Sequence, residues 1–251
     1  MSDTPVLWHI PISHYNEKVR WALAYKGVEH ERRAPMPGAH QVIALGLTRG
    51  AVGTFPVLRL DGRNIGDSTA IIAALEARHP DPPLYPADPA ERARALELED
   101  FFDEELGADI RLYAYHELMS DREAFGNVAA TMSPRPLRPV AGPMARAMVS
   151  LRFGANDAAK AAAAGEKVLV ALDRLEDELD GNDYLVGDSF TVADLTAASL
   201  FYPLVMPPEA PPVEVVSDRL EEFREPLRQR YGYRWVGEMF ARHRTPAPVP
   251  A

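Results

Sequence analysis

A proline-rich segment one third of the way along the chain divides the sequence into two parts. Residues 80–89 read Pro-Asp-Pro-Pro-Leu-Tyr-Pro-Ala-Asp-Pro. Proline lacks a backbone N–H and has a fixed φ, so neither a helix nor a central strand can continue through this segment. The chain has 251 residues, enough for two small domains. We therefore predict a first domain over 1–80, a linker over 81–89, a second domain over 90–245 and a flexible tail over 246–251.

The residues before this segment alternate between strand-like and helix-like patterns. Apolar residues at 6–10 predict a strand, and the apolar spacing after Glu17 predicts a helix. Asp61-Gly62 is a hairpin turn signal, and the order βαβ followed by ββα indicates a small α/β domain. The expected elements are a strand at 6–10, a helix at about 15–26, a parallel strand at His30–Arg33, a short helix at 38–46, antiparallel strands Val57–Leu60 and Arg63–Ile65, and a helix that begins near Ser68 and ends at His79.

The residues after the segment predict helices only. Val168, Leu172 and Leu175 recur at helical spacing and indicate one buried helix face. Thr191-x-x-Asp194 is a variant of the capping box and predicts a helix start. We expect an all-helical bundle with helices within the acidic stretch from about 90 to 120, near 157–180, from 191, near 217–229 and near 232–243, with a proline-rich break at 134–143.

The acidic run from Glu97 to Asp109 contains closely spaced carboxylates. Leu98, Phe102 and Leu106 are interleaved with them at helical spacing. This pattern is typical of the solvated side of an amphipathic helix, and we prefer that interpretation to a catalytic acid/base pair.

Charge and hydropathy exclude several classes of partner. Lys and Arg number 27 against 37 Asp and Glu, a net charge of −10 with a pI near 5.2. Nucleic acid and anionic lipid are therefore not expected as partners. No apolar run approaches the ~20 residues that span a bilayer, and the first residues do not resemble a signal peptide. We expect a cytoplasmic protein.

The chain contains no cysteine. Disulfides, thiolate metal sites and a cysteine nucleophile are therefore excluded. The histidines show none of the usual metal-ligand spacings, and we expect no metal site. Any thiol chemistry must use a thiol supplied by another molecule.

Three local features are candidate binding or catalytic sites. Ser13 precedes the first helix, where a helix N-terminus stabilises an anion; an ordinary capping serine is the alternative. Phe55 precedes Pro56 at a strand start, where a cis bond would expose the Phe55 backbone to an extended ligand, but a trans proline at a sheet edge fits the sequence too. Asp67 and Ser68 begin a helix and suit an amino-acid head group, or they only cap the helix.

Four motifs in order resemble the glutathione transferase family, over nearly the whole chain. They are the strand, Pro-x-Ser turn and Lys-Val-Arg-x-Ala-Leu helix at 7–23, Thr-Phe-Pro-Val-Leu at 54–58, Asp-Ser-Thr-Ala-Ile at 67–71, and Tyr-Leu-Val-Gly-Asp-Ser-Phe-Thr-Val-Ala-Asp at 184–194. The resemblance implies a thioredoxin-like N-terminal domain, an all-helical C-terminal domain and a homodimer. It also implies glutathione as co-substrate and a pocket for a small hydrophobic electrophile between the domains.

The resemblance also assigns roles to particular residues. Ser13 stands where serine-type members have the hydroxyl that hydrogen-bonds the thiolate of glutathione. Such a hydrogen bond lowers the thiol pKa. Phe55, next to Pro56, is expected to pair through its backbone with the cysteinyl part of glutathione, and Asp67 and Ser68 to bind the γ-glutamyl end. The further candidates are His40 and Gln41 for the glycine carboxylate, and Tyr15, Tyr113 and His116 for the electrophile pocket.

We therefore expect an enzyme that activates the glutathione thiol for attack on a small hydrophobic electrophile. Thr54 stands where many members have lysine, and His14, Tyr15 and Asn16 occupy a variable part of the turn. These departures leave open another low-molecular-weight thiol, or a non-catalytic binding or scaffold protein with the same fold.

Overall fold

The computed structural model describes residues 4–36, 39–131, 133, 135–212 and 217–244. The predicted tail at 246–251 lies outside this range. Within the described residues, no helix has both the length and the apolar character needed to cross a membrane.

The first part of the chain forms a four-stranded mixed sheet with helices. The strand order is β2-β1-β3-β4; β1 runs parallel to β2 and antiparallel to β3, and β3 runs antiparallel to β4. This order confirms the predicted βαβ and ββα units and the thioredoxin-like fold. The elements are β1 (Val6–Trp8), α1 (His14–Tyr25), β2 (Glu31–Arg33), α2 (His40–Leu47), β3 (Val57–Leu60), β4 (Arg63–Gly66) and α3 (Ser68–Arg78).

Local sequence signals explain two of these elements. Asp61 and Gly62 both have positive φ, 48° and 77°, as a two-residue hairpin turn requires, and they set the register in which Leu58 faces Ile65. Asp67 caps α3, since its carboxylate accepts a hydrogen bond from the N–H of Ala70 at 3.1 Å.

The second part of the chain is helical, as predicted. The central helix α9 is almost fully buried, and it begins at the predicted capping box, where Thr191 and Asp194 bond each other's backbone. The elements are α4 (Pro89–Phe101), a π-helical turn (Phe102–Leu106), α5 (Gly107–Ser120), α6 (Arg122–Thr131), a 3₁₀ turn (Arg135–Leu137), α7 (Arg138–Phe153), α8 (Ala158–Leu179), α9 (Val192–Val205), α10 (Asp218–Arg224), a second 3₁₀ turn (Glu225–Gln229) and α11 (Tyr231–His243).

The predicted break at 134–143 is wrong for its second half, because α7 begins at Arg138 and contains Pro143. Tertiary packing outweighs the lost backbone hydrogen bond here. A Cβ added to Gly142 would lie 3.1 Å from the Cα of Gly126, so α6 and α7 cross closely at this point. Such close contact stabilises a helix that proline alone disfavours.

The interpretation of the acidic run as a solvated face is also wrong, at Glu99 and Asp103. The Glu99 side chain is fully buried, and its Oε1 lies 2.9 Å from Nζ of the equally buried Lys18 in α1. Asp103 Oδ2 lies 2.7 Å from the same Nζ, and the Thr69 hydroxyl donates to Asp103 at 2.7 Å. Lys18, Thr69, Glu99 and Asp103, here called the buried ion cluster, therefore link α1 and α3 to the second part of the chain.

Candidate functional site

A cavity of about 1020 Å³ lies between the two parts of the chain. Its lining includes most of the residues that the sequence singles out. The structure brings together Ser13, Tyr15, His40, Phe55, Pro56, Asp67 and Ser68 from the first part, and faces them with side chains from α5, α6 and α7.

Ser13 lies immediately before α1 but does not cap it. Its side chain makes no hydrogen bond to the first turn. Instead, Ser13 Oγ accepts a hydrogen bond from Nδ2 of the fully buried Asn16 at 2.7 Å. A hydroxyl that accepts one bond still has its own proton to donate. No group among the described residues accepts that proton, so it is available to a ligand in the cavity.

Asn16 also positions the backbone on both sides of the cavity. Its Oδ1 accepts from the N–H of Ile10 at 3.2 Å, and its Nδ2 donates to the carbonyl of Phe55 at 3.3 Å. The Phe55–Pro56 peptide bond is cis. One buried amide thus joins the turn that carries Ser13 to the strand start at Phe55.

A buried arginine holds the turn before Ser13. Arg20 donates to the carbonyls of Ile10 at 3.2 Å and Pro11 at 2.9 Å. Glu17, which is fully buried, accepts from Arg20 at 2.7 Å and from Arg244 at 2.6 Å, so the end of α11 supports the same turn. The sequence predicts neither contact, because Arg244 lies at the far end of the chain.

Asp67 and Ser68 lie at one end of the cavity. Asp67 is exposed and has a positive φ of 75°, while Ser68 is buried. The capping interpretation holds for Asp67, and both residues also line the cavity. Asp100 and Asp103 line the cavity too, so it includes several carboxylates.

The π-helical turn after α4 and the first residue of α5 contact the first two side chains of α1. Tyr15 Oη donates to the carbonyl of Asp103 at 2.8 Å, and His14 Nε2 lies 2.8 Å from the carbonyl of Gly107. Burial, followed by the charge of Asp103, raises the pKa of Tyr15 to about 12. Burial, followed by the charge of Arg111, lowers the pKa of His14 to about 3. His14 is therefore neutral at pH 7, and the Tyr15 proton is already donated to a carbonyl.

Three sequence candidates lie outside the cavity lining: Gln41, Tyr113 and His116. The Tyr113 ring packs against Phe223 with centroids 4.4 Å apart, and His116 Nδ1 lies 2.8 Å from the carbonyl of Ala155. His40 does line the cavity, and burial lowers its pKa.

The face of α5 that lines the cavity was missed by sequence reasoning. It carries Arg111, Ala114, Tyr115 and Leu118, whose spacing of i, i+3, i+4 and i+7 defines one side of a helix. That spacing was a usable signal, and it places Tyr113 and His116 on other sides. The α6–α7 hairpin completes this part of the cavity with Phe125, Val128, Ala129, Ala145, Met148, Val149, Arg152 and Phe153.

The described residues offer no grouping of three His, Asp or Glu side chains that could hold a metal ion. The cavity combines a hydroxyl donor at a helix N-terminus, exposed backbone, carboxylates and an apolar region. These groups can bind a peptide-like thiol and an aromatic or aliphatic molecule beside it.

Two family models match the chain. The model described as glutathione S-transferase, N-terminal domain, matches residues 7–83, and the model described as glutathione S-transferase, C-terminal domain, matches residues 128–226. Both parts of the chain therefore match the same family, in the order that the fold requires.

Two curated relatives are similar over part of their length. Maleylacetoacetate isomerase of Rattus norvegicus is 38% identical over 93 residues, which is 36% of this chain and 43% of that protein. FtsZ-localized protein A of Caulobacter vibrioides is 28% identical over 135 residues, 54% of this chain and 47% of that protein. The chain thus spans less than half the length of these curated relatives.

Solved structures agree in fold. A glutathione transferase from Phanerochaete chrysosporium superposes with a TM-score of 0.69 at 19% identity and covers 100% of both chains. At this identity the likeness concerns the fold alone.

Proposed function

Because the chain belongs to the glutathione S-transferase family, we propose that it is an enzyme that binds glutathione and activates its thiol through Ser13. The thiolate then attacks a small hydrophobic electrophile held in the same cavity. The observation that carries the proposal is the Ser13 hydroxyl, which accepts from Asn16 at 2.7 Å and keeps its proton for a ligand.

The residues present fit glutathione, a peptide-like molecule with a carboxylate at each end and one ammonium group. Ser68 lies at the start of α3, where backbone N–H groups and the hydroxyl suit a carboxylate, and Asp67 beside it suits an ammonium group. Phe55 offers its backbone next to Pro56, and His40 lies near Phe55, with ring centroids 6.4 Å apart. These residues are proposed to hold the γ-glutamyl, cysteinyl and glycine parts respectively.

Ser13 stabilises the anionic form of the thiol. A hydrogen bond donated to a thiolate favours the charged form and lowers the thiol pKa. The N-terminus of α1 contributes a partial positive charge at the same place. Asn16 and Arg20 keep the turn in position through their bonds to Ser13, Ile10 and Pro11.

Tyr15 is the less suitable partner for the thiol. Its hydroxyl already donates to the carbonyl of Asp103, and its raised pKa of about 12 keeps it protonated. The Tyr15 ring is therefore assigned to the wall of the cavity.

The relatives suggest two reaction classes for the same thiolate. Conjugation forms a carbon–sulfur bond with an electrophile, whereas the name maleylacetoacetate isomerase describes an isomerisation. Either reaction begins with the activated thiol. A homodimer and a cytoplasmic location complete the proposal.

The experiment compares the wild-type chain with Ser13→Ala in binding to immobilised glutathione and in conjugation of chlorodinitrobenzene. We expect both proteins to bind, and Ser13→Ala to reduce kcat/KM about tenfold to hundredfold, the usual effect of losing a hydrogen bond to a charged group. The control is Ser189→Ala, because Ser189 is exposed and does not line the cavity. Equal kcat/KM in all three proteins would contradict the role of Ser13.

A second candidate function is a non-catalytic binding protein with the same fold. The similarity to FtsZ-localized protein A favours it, because that name describes a location and not a reaction. A wild-type chain that retains glutathione but turns over neither electrophiles nor isomerisable substrates would support this function. A chain that does not bind millimolar glutathione would contradict the proposed co-substrate.

A further inference from the structure

Arg111 is a cation in the cavity that makes no ion pair with any of the residues the structure describes. It is half-buried, and its Nε is buried without a hydrogen-bond partner among the described residues. The ion pairs of the described residues do not include Arg111. Asp109, two positions before Arg111 in the sequence, is engaged by Lys167 at 3.1 Å. Asp100, Asp103 and Glu104 line the same cavity, but none of them is ion-paired with Arg111.

Aromatic rings hold the Arg111 guanidinium by its faces. Its centre lies 4.6 Å from the ring centroid of Phe153 and 5.9 Å from that of Tyr15. Contacts of this kind fix the orientation of a planar guanidinium but use none of its N–H groups. The two Nη groups are not buried in the way that Nε is, and they keep their donors for a planar anion, which they can bind with two parallel hydrogen bonds.

The surroundings of Arg111 combine apolar side chains with a second cation, Arg152, whose guanidinium centre lies 5.6 Å from the centroid of the same Phe153 ring. Tyr115, Phe125 and Val149 line the same region, and the neighbouring His14 is neutral at pH 7. A partly buried cation without an ion-pair partner is stabilised by a ligand that supplies the opposite charge. A purely hydrophobic ligand in this region would leave the N–H groups of Arg111 without partners.

We propose that Arg111 binds a carboxylate of the electrophile, so that the preferred substrate is an apolar electrophile that carries a carboxylate. This inference rests on the proposed function, because it names the substrate class of the same cavity. It assigns the carboxylate to the electrophile and not to glutathione. Arg111 belongs to α5, in the part of the cavity built by the second half of the chain, while the residues proposed for glutathione lie in the first half.

The test compares chlorodinitrobenzoate with its methyl ester as electrophiles. With either compound, conjugation forms the carbon–sulfur bond and releases chloride and the thiol proton. The acid carries one negative charge that the ester lacks. We measure kcat/KM for each with the wild-type chain, Arg111→Gln and Arg122→Gln. The last variant removes an exposed arginine that does not line the cavity.

We expect Arg111→Gln to lower the acid-to-ester ratio of kcat/KM about tenfold to hundredfold, with little change for the ester and in the KM for glutathione. Arg122→Gln should keep the wild-type ratio. An unchanged ratio in Arg111→Gln would overturn the proposal. An equal loss with both electrophiles, or a loss confined to the KM for glutathione, would overturn it as well, since Arg111 would then serve the thiol.

A binding measurement separates this inference from the proposed function. Dinitrobenzoate and its methyl ester have no leaving group, and calorimetry reports their affinities without turnover. The inference predicts that the wild-type chain binds the acid more tightly than the ester and that Arg111→Gln loses this preference. If the wild-type chain shows no conjugation but keeps the preference, the proposed function fails and the carboxylate site stands. If it shows no preference, the carboxylate site fails.

Discussion

Replacing Lys18 with methionine tests whether the buried ion cluster stabilises the contact between the two parts of the chain. The Lys18 and Glu99 side chains are fully buried, and the Asp103 side chain is 17% exposed. Methionine keeps much of the packing volume but leaves two carboxylates without a cation. Breaking a buried pair in this way costs about 3–5 kcal/mol. For a chain of this size, that loss lowers Tm by roughly 6–20 °C.

The same structure predicts how this loss depends on pH. Burial already raises the pKa of Glu99, and removal of Lys18 removes the main effect that opposes the rise. In the folded variant, Glu99 therefore takes up a proton at a pH where the Glu99 carboxylate of the unfolded chain is still ionised. The free energy of unfolding of the variant then decreases as the pH rises above the pKa of Glu99 in the unfolded chain. The loss of stability caused by Lys18→Met is therefore larger at about pH 8 than at about pH 5.

Urea unfolding measures the free energy of unfolding of Lys18→Met at both pH values. The matched control is Lys167→Met, which breaks a pair with Asp109 in which the lysine is 59% exposed. That exposed pair is worth at most about 1 kcal/mol. Adding Glu99→Gln to Lys18→Met should restore part of the stability, since it removes a buried charge. Equal, small losses for Lys18→Met and Lys167→Met would refute the reasoning.

Two further predictions concern the contact between the start of α1 and the start of α5. Burial and the charge of Arg111 lower the pKa of His14 to about 3, well below that of the unfolded chain. The unfolded chain thus binds the proton first, and His14 should reduce the free energy of unfolding by about 1.4 kcal/mol per pH unit as pH falls below about 6.5. Urea unfolding of His14→Gln should show a shallower pH dependence, and an unchanged one would contradict this. A Cβ on Gly107 would overlap the Tyr15 hydroxyl, so thermal unfolding of Gly107→Ala should show a loss of about 1–3 kcal/mol. Gly237→Ala, whose Cβ meets nothing within 4 Å, should lose none.

Features that depend on a few neighbouring residues were predictable from the sequence. The hairpin at Asp61-Gly62 and the helix starts at Asp67 and Thr191 depend on turn and capping chemistry within four residues, and the structure confirms all three. The parallel pairing of the first two strands was predicted from the βαβ order, and the helical second part from the period of the apolar residues after the proline-rich segment; the β1–β3 pair that completes the sheet was not predicted.

Features that depend on distant partners were not predictable. Glu99 and Asp103 look like solvated helix residues until Lys18 and Thr69, far away in sequence, are packed against them. Pro143 lies within a helix because α6 supports α7.

The candidate site shows the same division. The motifs at Ser13, Phe55 and Asp67 predicted residues that do line one cavity. The face of α5 toward the cavity depends on how α5 packs; the sequence candidates Tyr113 and His116 lie on other sides of this helix, and Tyr115 lines the cavity. Arg111 gave no signal by itself, because an arginine on a helix is usually solvated.

The pKa of the glutathione thiol bound to the protein tests the central claim most directly. A titration that follows the ultraviolet absorbance of the thiolate gives this pKa for the wild-type chain, Ser13→Ala and the control Ser189→Ala. We expect a pKa below that of free glutathione in the wild-type chain and the control, and a pKa about one to two pH units higher in Ser13→Ala. The same thiol pKa in all three proteins would contradict the claim that the Ser13 hydroxyl stabilises the thiolate.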